Sequence, residues 1–167
     1  MTQSIPDAVL RGSGTGTLRG RQPEVRARRT THETATVLAG VPLFSDLRKR
    51  DLQRLAKQAD ELVFDAGERI VEEGMLGETL FVVLAGHGLV VRKGAEVGEV
   101  LPGDFFGELS ALDGGARTAT IVADTPMRVL RLFRRTLVEL IHDDPQLSLK
   151  LLDGIVRRIR QIERRSG

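Results

Sequence analysis

The chain has 167 residues, 41% of them apolar and 29% charged, which suits one globular domain with a substantial core. It contains no cysteine, which excludes disulfides, thiolate zinc sites, iron–sulfur clusters and a cysteine nucleophile. Net charge is only +2 and unevenly placed: residues 1–40 carry six arginines against three acids, whereas 41–167 carry nineteen bases against twenty acids, so the body is no basic nucleic-acid-binding surface.

Residues 1–36 read as a disordered arginine- and glycine-rich extension with almost no periodic apolar pattern. Its stretch from Arg11 to Thr17 has no strand before it, no helix after it and no lysine, so it does not read as a phosphate loop. The N-terminus lacks the apolar core of a secretory signal. The longest apolar run, Leu80 to Ala85, falls far short of the roughly 20 residues a bilayer needs. The expectation is a cytoplasmic protein without a membrane partner, its domain occupying 37–167.

Val41-Pro42-Leu43-Phe44 reads as an apolar plug, and 48–58 as a short helix with Leu52, Leu55 and Ala56 on one face. From 61 to 133 the pattern changes to short strands separated by glycine turns: 62–64, 70–71, 79–85, 89–91, 97–101, 118–123 and 127–133. The run 79–85 is continuously apolar and is expected to be buried on both faces. Helical signal returns at 136–142. A last helix begins at Asp143-Asp144-Pro145 and runs to about Arg165. Its Leu152, Ile155, Ile159 and Ile162 are spaced 3, 4 and 3, a coiled-coil seam, and its other face carries arginines.

The most informative stretch runs from Phe106 to Ala119. It places Glu108 and Arg117 nine residues apart around a short helical turn bounded by glycines. Such a carboxylate can accept hydrogen bonds from a ribose hydroxyl, and such a guanidinium can pair with a phosphate. Backbone N–H groups opening the turn are free to donate to the same anion. Taken singly, Arg117 is a surface arginine at a strand start and Glu108 a helix N-terminal acid; the combination points to a sugar–phosphate ligand. His32, His87 and His142 show no metal-ligand spacing, and no nucleophile–base pair suggests an enzyme.

The order of helix, short strands, glycine-flanked cassette and two helices resembles the cyclic-nucleotide-binding domain family, which includes the catabolite activator protein, protein kinase regulatory subunits and nucleotide-gated channels. The landmarks are Phe44, Gly67, Gly74, Gly77 and Gly86, then Pro102 to Glu108, then Arg117-Thr118-Ala119. The resemblance covers about 43–165. It implies a mostly β fold: an eight-stranded, jelly-roll-like β-roll with an N-terminal helix and two C-terminal helices. It further implies that Glu108 holds the ribose 2′-hydroxyl and Arg117 the cyclic phosphate. Gly107, Leu109, Ser110, Thr118 and Ala119 complete the ligand site. Threonine at 118 is common in the family where guanine is bound, but also occurs with adenine. The family often has proline before the arginine, and here Ala116 stands there.

The function this implies is a stand-alone module that binds cyclic AMP or cyclic GMP and signals through its last helix, with no cofactor besides that ligand. The last helix has no aromatic residue, so Arg157 and Arg160 are the candidate lid over the purine. The seam also suits a homodimer, and the effector protein is open. Ending near Arg165, the chain is not expected to bind DNA alone. The competing readings are an interaction module that kept the roll without the ligand, and a transcription-regulator relative lacking its own DNA-binding domain.

Overall fold

The structure is a computed structural model that describes residues 24–25 and 29–166. Eight strands run from Asp60 to Phe133: β2 (Asp60–Phe64), β3 (Arg69–Val71), β4 (Thr79–Ala85), β5 (Gly88–Arg92), β6 (Ala95–Val100), β7 (Phe105–Phe106), β8 (Thr120–Ala123) and β9 (Met127–Phe133). A two-residue strand, β1 (Glu24–Val25), precedes them. They form two antiparallel sheets, ordered β1-β2-β9-β4-β7 and β3-β8-β5-β6. Helices α1 (Thr31–Ala39) and α2 (Lys49–Gln58) lie before the roll, with a 3₁₀ turn (Pro42–Phe44) between them. The short α3 (Glu108–Asp113) sits between β7 and β8, and α4 (Arg134–Asp143) and α5 (Gln146–Ser166) follow. This is the β-roll with N-terminal and two C-terminal helices that the sequence implied.

Strand alternation divides the interior in two. On β4, Leu80 and Val82 pack among the helices, whereas Phe81 and Val83 point into the roll. Antiparallel pairing with β9 matches this: Leu130 and Leu132 join the helical cluster, and Met127 and Val129 the roll cluster. The expectation that 79–85 is buried on both faces holds at Leu80–Val83, each at most 5% exposed.

Ordered chain starts earlier than expected. Helix α1 begins at Thr31, not near Thr36, because Thr30 and Glu33 form a capping box. The Thr30 hydroxyl accepts from the Glu33 N–H at 3.2 Å, and the Thr30 N–H donates to the Glu33 carboxylate at 2.9 Å. Those bonds hold the Glu33 carboxyl below its ordinary range. Strand β1 also falls inside the segment assigned to the extension, paired to β2 with Val25 opposite Leu62. The stretch from Arg11 to Thr17 lies outside the described residues.

Helix α5 docks on the 3₁₀ turn. Leu147 and Leu151 are buried and Ile155 packs against the same cluster. At Gly154 a Cβ would stand 2.7 Å from Leu43 Cα, so only glycine permits this approach. Arg157 locks the contact, donating to the Pro42 carbonyl at 3.3 Å and the Asp46 carboxylate at 3.0 Å. The helical seam therefore differs from the expected one. Ile155 faces its own core, and the exposed stripe is Leu149, Leu152, Val156 and Ile159. The side chain of Ile162 lies outside the described residues.

The β4–β5 turn is tied to its neighbours by His87. One ring nitrogen meets Glu99 of β6 at 2.8 Å and the other meets Asp124 of the β8–β9 turn at 3.1 Å. Only the imidazolium donates from both nitrogens. The Glu99 bond, helped by Asp124, raises the His87 pKa, with partial burial opposing. A raised folded-state pKa means the stabilisation is complete below the unfolded value of about 6.5 and is lost as pH rises through the folded value. Between about pH 6 and about pH 8 the melting-temperature gap between the native chain and His87→Gln is expected to narrow. A gap independent of pH rejects the charged latch.

Candidate functional site

Arg117 occupies a cradle that two glycines leave open. A Cβ at Gly77 would stand 2.1 Å from the Arg117 Nε, and one at Gly107 would stand 2.6 Å from Nη1. Gly107 also has φ +80°, a conformation that side-chain-bearing residues resist. The Arg117 backbone is stitched to the β3–β4 loop: its N–H donates to the Met75 carbonyl at 2.8 Å, and its carbonyl accepts from Gly74 at 2.9 Å. That double tether supplies the rigidity that a proline at Ala116 would otherwise give.

Arg117 as a residue is only 7% exposed. Its Nη1 donates to the Thr79 carbonyl at 2.7 Å and the Gly107 carbonyl at 3.2 Å, and its Nη2 to the Thr79 hydroxyl at 2.8 Å. Phe81 lies beneath it, 5.8 Å from the guanidinium carbon, and stacks on Phe106 with centroids 5.1 Å apart. Each of these partners is neutral, and among the described residues no carboxylate lies within ion-pair distance. Burial pushes its pKa down, while the charge of Glu108 pushes it up. An arginine stays charged regardless, so this is a buried cation awaiting an anion.

That cation opens into a cavity of about 390 Å³, within the range typical of small-molecule sites. Gly107, Glu108, Leu109, Ser110, Arg117, Thr118 and Ala119 all line it. Seven residues identified from the sequence thus meet in one concavity. Glu108 is half-buried at the start of α3 and has no hydrogen-bond partner among the described residues. Leu109 is half exposed at the rim, and Ser110 is buried in α3. The remaining walls include the apolar residues Val71, Val90, Val97, Val100, Phe106 and Ile121.

Arg157 and Arg160 do not line this cavity. Arg157 is held at the 3₁₀ turn and Arg160 is exposed. The sequence reading missed Arg92, Glu99 and Asp104, which do line it. Asp104 is committed to the Leu101 N–H at 2.9 Å and Glu99 to His87. A signal for Arg92 was available: in a strand it shares a face with Val90, two residues earlier.

The sequence profile of the cyclic nucleotide-binding domain matches residues 61–144, half of the chain. The chain belongs to this family. It is 31% identical over 130 residues to the CRP-like cAMP-activated global transcriptional regulator of Mycobacterium tuberculosis, covering 75% of this chain and 58% of that protein. It is 37% identical over 99 residues to the cAMP-dependent protein kinase regulatory subunit of Aspergillus fumigatus, covering 58% of this chain and 24% of that one. The chain therefore spans less than two thirds of either relative. A solved cyclic nucleotide-binding domain from Methylobacillus flagellatus superposes with a TM-score of 0.70 at 25% identity, covering 87% of this chain and 84% of that one.

The glycine cradle makes a specific prediction. Gly77→Ala places a methyl group against the flexible end of Arg117. The expected result is a folded protein whose affinity for cyclic nucleotide falls by about 2 kcal/mol or more, the lower end for disrupting a buried charge contact. Calorimetric titration measures it, and native affinity in the folded variant refutes the cradle.

Proposed function

We propose that this chain is a regulatory module that binds cyclic AMP or cyclic GMP and converts occupancy into a change at α5. The observation that carries this is Arg117, a residue only 7% exposed, which lines one cavity with Glu108 and has only neutral hydrogen-bond partners among the described residues. A singly charged cyclic phosphate answers it: its two exocyclic oxygens suit a guanidinium, and the ring leaves the ribose 2′-hydroxyl for Glu108. Backbone donors around Ser110 and Ala119 complete the anion's shell. Family membership supports the same ligand, and the family relatives are regulators rather than catalysts.

The output runs through α5. This helix is fastened by Leu147, Leu151, Gly154 and Ile155, and beyond them by the clamp of Arg157 on Pro42 and Asp46. A ligand shifts the helix only by contacting its two positions unequally. Closure that brings Arg157 or Arg160 over the base breaks the Asp46 clamp, so the clamp and the lid compete for Arg157. Self-association is the readout that the surface favours. Leu149, Leu152, Val156 and Ile159 follow a 3-4-3 spacing and are 65%, 55%, 39% and 51% exposed. An exposed apolar stripe at this heptad spacing suits pairing with the same helix of a second copy.

Titration with both cyclic nucleotides tests the site. Arg117→Ala is expected to weaken binding by about 2–5 kcal/mol, as for removing one partner of a buried charge pair. Unchanged affinity rejects the site. Sedimentation tests the seam separately: Leu152→Asp with Ile159→Asp is expected to convert a dimer to monomer while leaving the cavity intact. A native chain that is monomeric with and without ligand dismisses the seam.

A further inference from the structure

Arg92 ends β5 on the cavity face. Val90 and Arg92 line the cavity, while Leu89 and Val91 turn to the opposite side and pack with Val122. The Arg92 Nε donates to the Thr118 carbonyl at 3.1 Å, which moors the guanidinium beside the segment that carries Arg117. Its two terminal amino groups meet no acceptor among the described residues. Of the other charged heads of the cavity, Glu99 holds His87 and Asp104 holds the Leu101 N–H, and the function proposed above gives Arg117 the phosphate and Glu108 the ribose. A cyclic nucleotide carries one negative charge, and Arg117 answers it. A second cation on the cavity face is then left for the base.

The chemistry of that cation selects among bases. A guanidinium presents parallel N–H groups and no acceptor. The edge of guanine offers two adjacent acceptors, O6 and N7, whereas adenine offers N7 beside an amino group that is itself a donor. A fork of donors fits the first edge and meets a donor on the second.

We propose that Arg92 reads the purine, its terminal amino groups donating to O6 and N7 of a 6-oxopurine, so that the site favours cyclic GMP and cyclic IMP over cyclic AMP. This rests on the cyclic-nucleotide reading of the site. Cyclic IMP is the informative probe. It keeps O6 and N7 but lacks the 2-amino group, so any contact of the Thr118 hydroxyl with that group drops out.

The test is calorimetric titration of the full chain, Arg92→Ala and Arg92→Lys with cyclic GMP, cyclic IMP and cyclic AMP. Arg92 is exposed, and equal melting temperatures establish that both variants fold. The expected result is that Arg92→Ala weakens cyclic GMP and cyclic IMP by roughly 5- to 100-fold and changes cyclic AMP by less than about twofold. Lysine, a point charge without a fork, restores only part of the loss. Equal loss for all three nucleotides overturns the proposal in favour of stacking or general attraction, and no loss for any overturns it outright. A native chain that binds cyclic AMP more tightly than cyclic IMP also overturns it. Failure of the native chain to bind any of the three brings down the cyclic-nucleotide reading itself.

Discussion

Burying a guanidinium without a carboxylate costs several kcal/mol, because the ion loses its hydration and gains no opposite charge. The region around Arg117 is arranged to meet part of that cost and no more. Thr79 supplies a carbonyl and a hydroxyl, Gly107 a carbonyl, and Phe81 the face of a ring. All are neutral, so among the described residues no opposite charge is paired with the guanidinium. Glu108, whose charge raises the Arg117 pKa, is not hydrogen-bonded to it. A carboxylate paired directly with Arg117 would have made the protein more comfortable and left nothing for an anionic ligand to gain.

The cradle demands unusual backbone. Gly77 and Gly107 sit where any side chain would overlap Arg117. Gly107 also turns the chain from β7 into α3 through a left-handed conformation, which aims Glu108 at the same cavity. One glycine thus serves both charges. The paired tethers from Gly74 and Met75 keep the start of the Arg117 segment in register with the β3–β4 loop. In this way the site is stiff where it holds the cation and open where it accepts the ligand.

The helical end is built by a different principle. Strand alternation sends alternate residues of β4 and β9 to two separate clusters, one inside the roll and one among the helices. The ligand cavity borders the first, and α5 belongs to the second. They share the strands and the short helix α3, which lines the cavity with Glu108 and Ser110 and sets Ala111 in the helical cluster. The 3₁₀ turn is the opposing surface for α5, and the Gly154 approach and the Arg157 clamp define one position of that helix.

Much of this was legible in the sequence for identifiable reasons. Glycine spacing and the Glu108–Arg117 interval are local features, fixed by steric need and by chemistry, and they led to the family and to seven residues that line one cavity. The early start of α1 was legible too, in the Thr30-x-x-Glu33 pattern, but the surrounding arginines masked it. Other features were settled only by packing. Ile155 and Val156 are equally apolar, and which of them faces the core depends on how α5 meets Leu43. Arg157 is one arginine among several until the turn at Pro42–Asp46 comes within its reach. Arg92 looks like any strand-end cation until β5 and β8 pair and set it beside Thr118. Sequence determines what each residue can offer; the tertiary structure decides which offers face the same space, because contacts between distant segments are set by register and close approach that no local pattern contains.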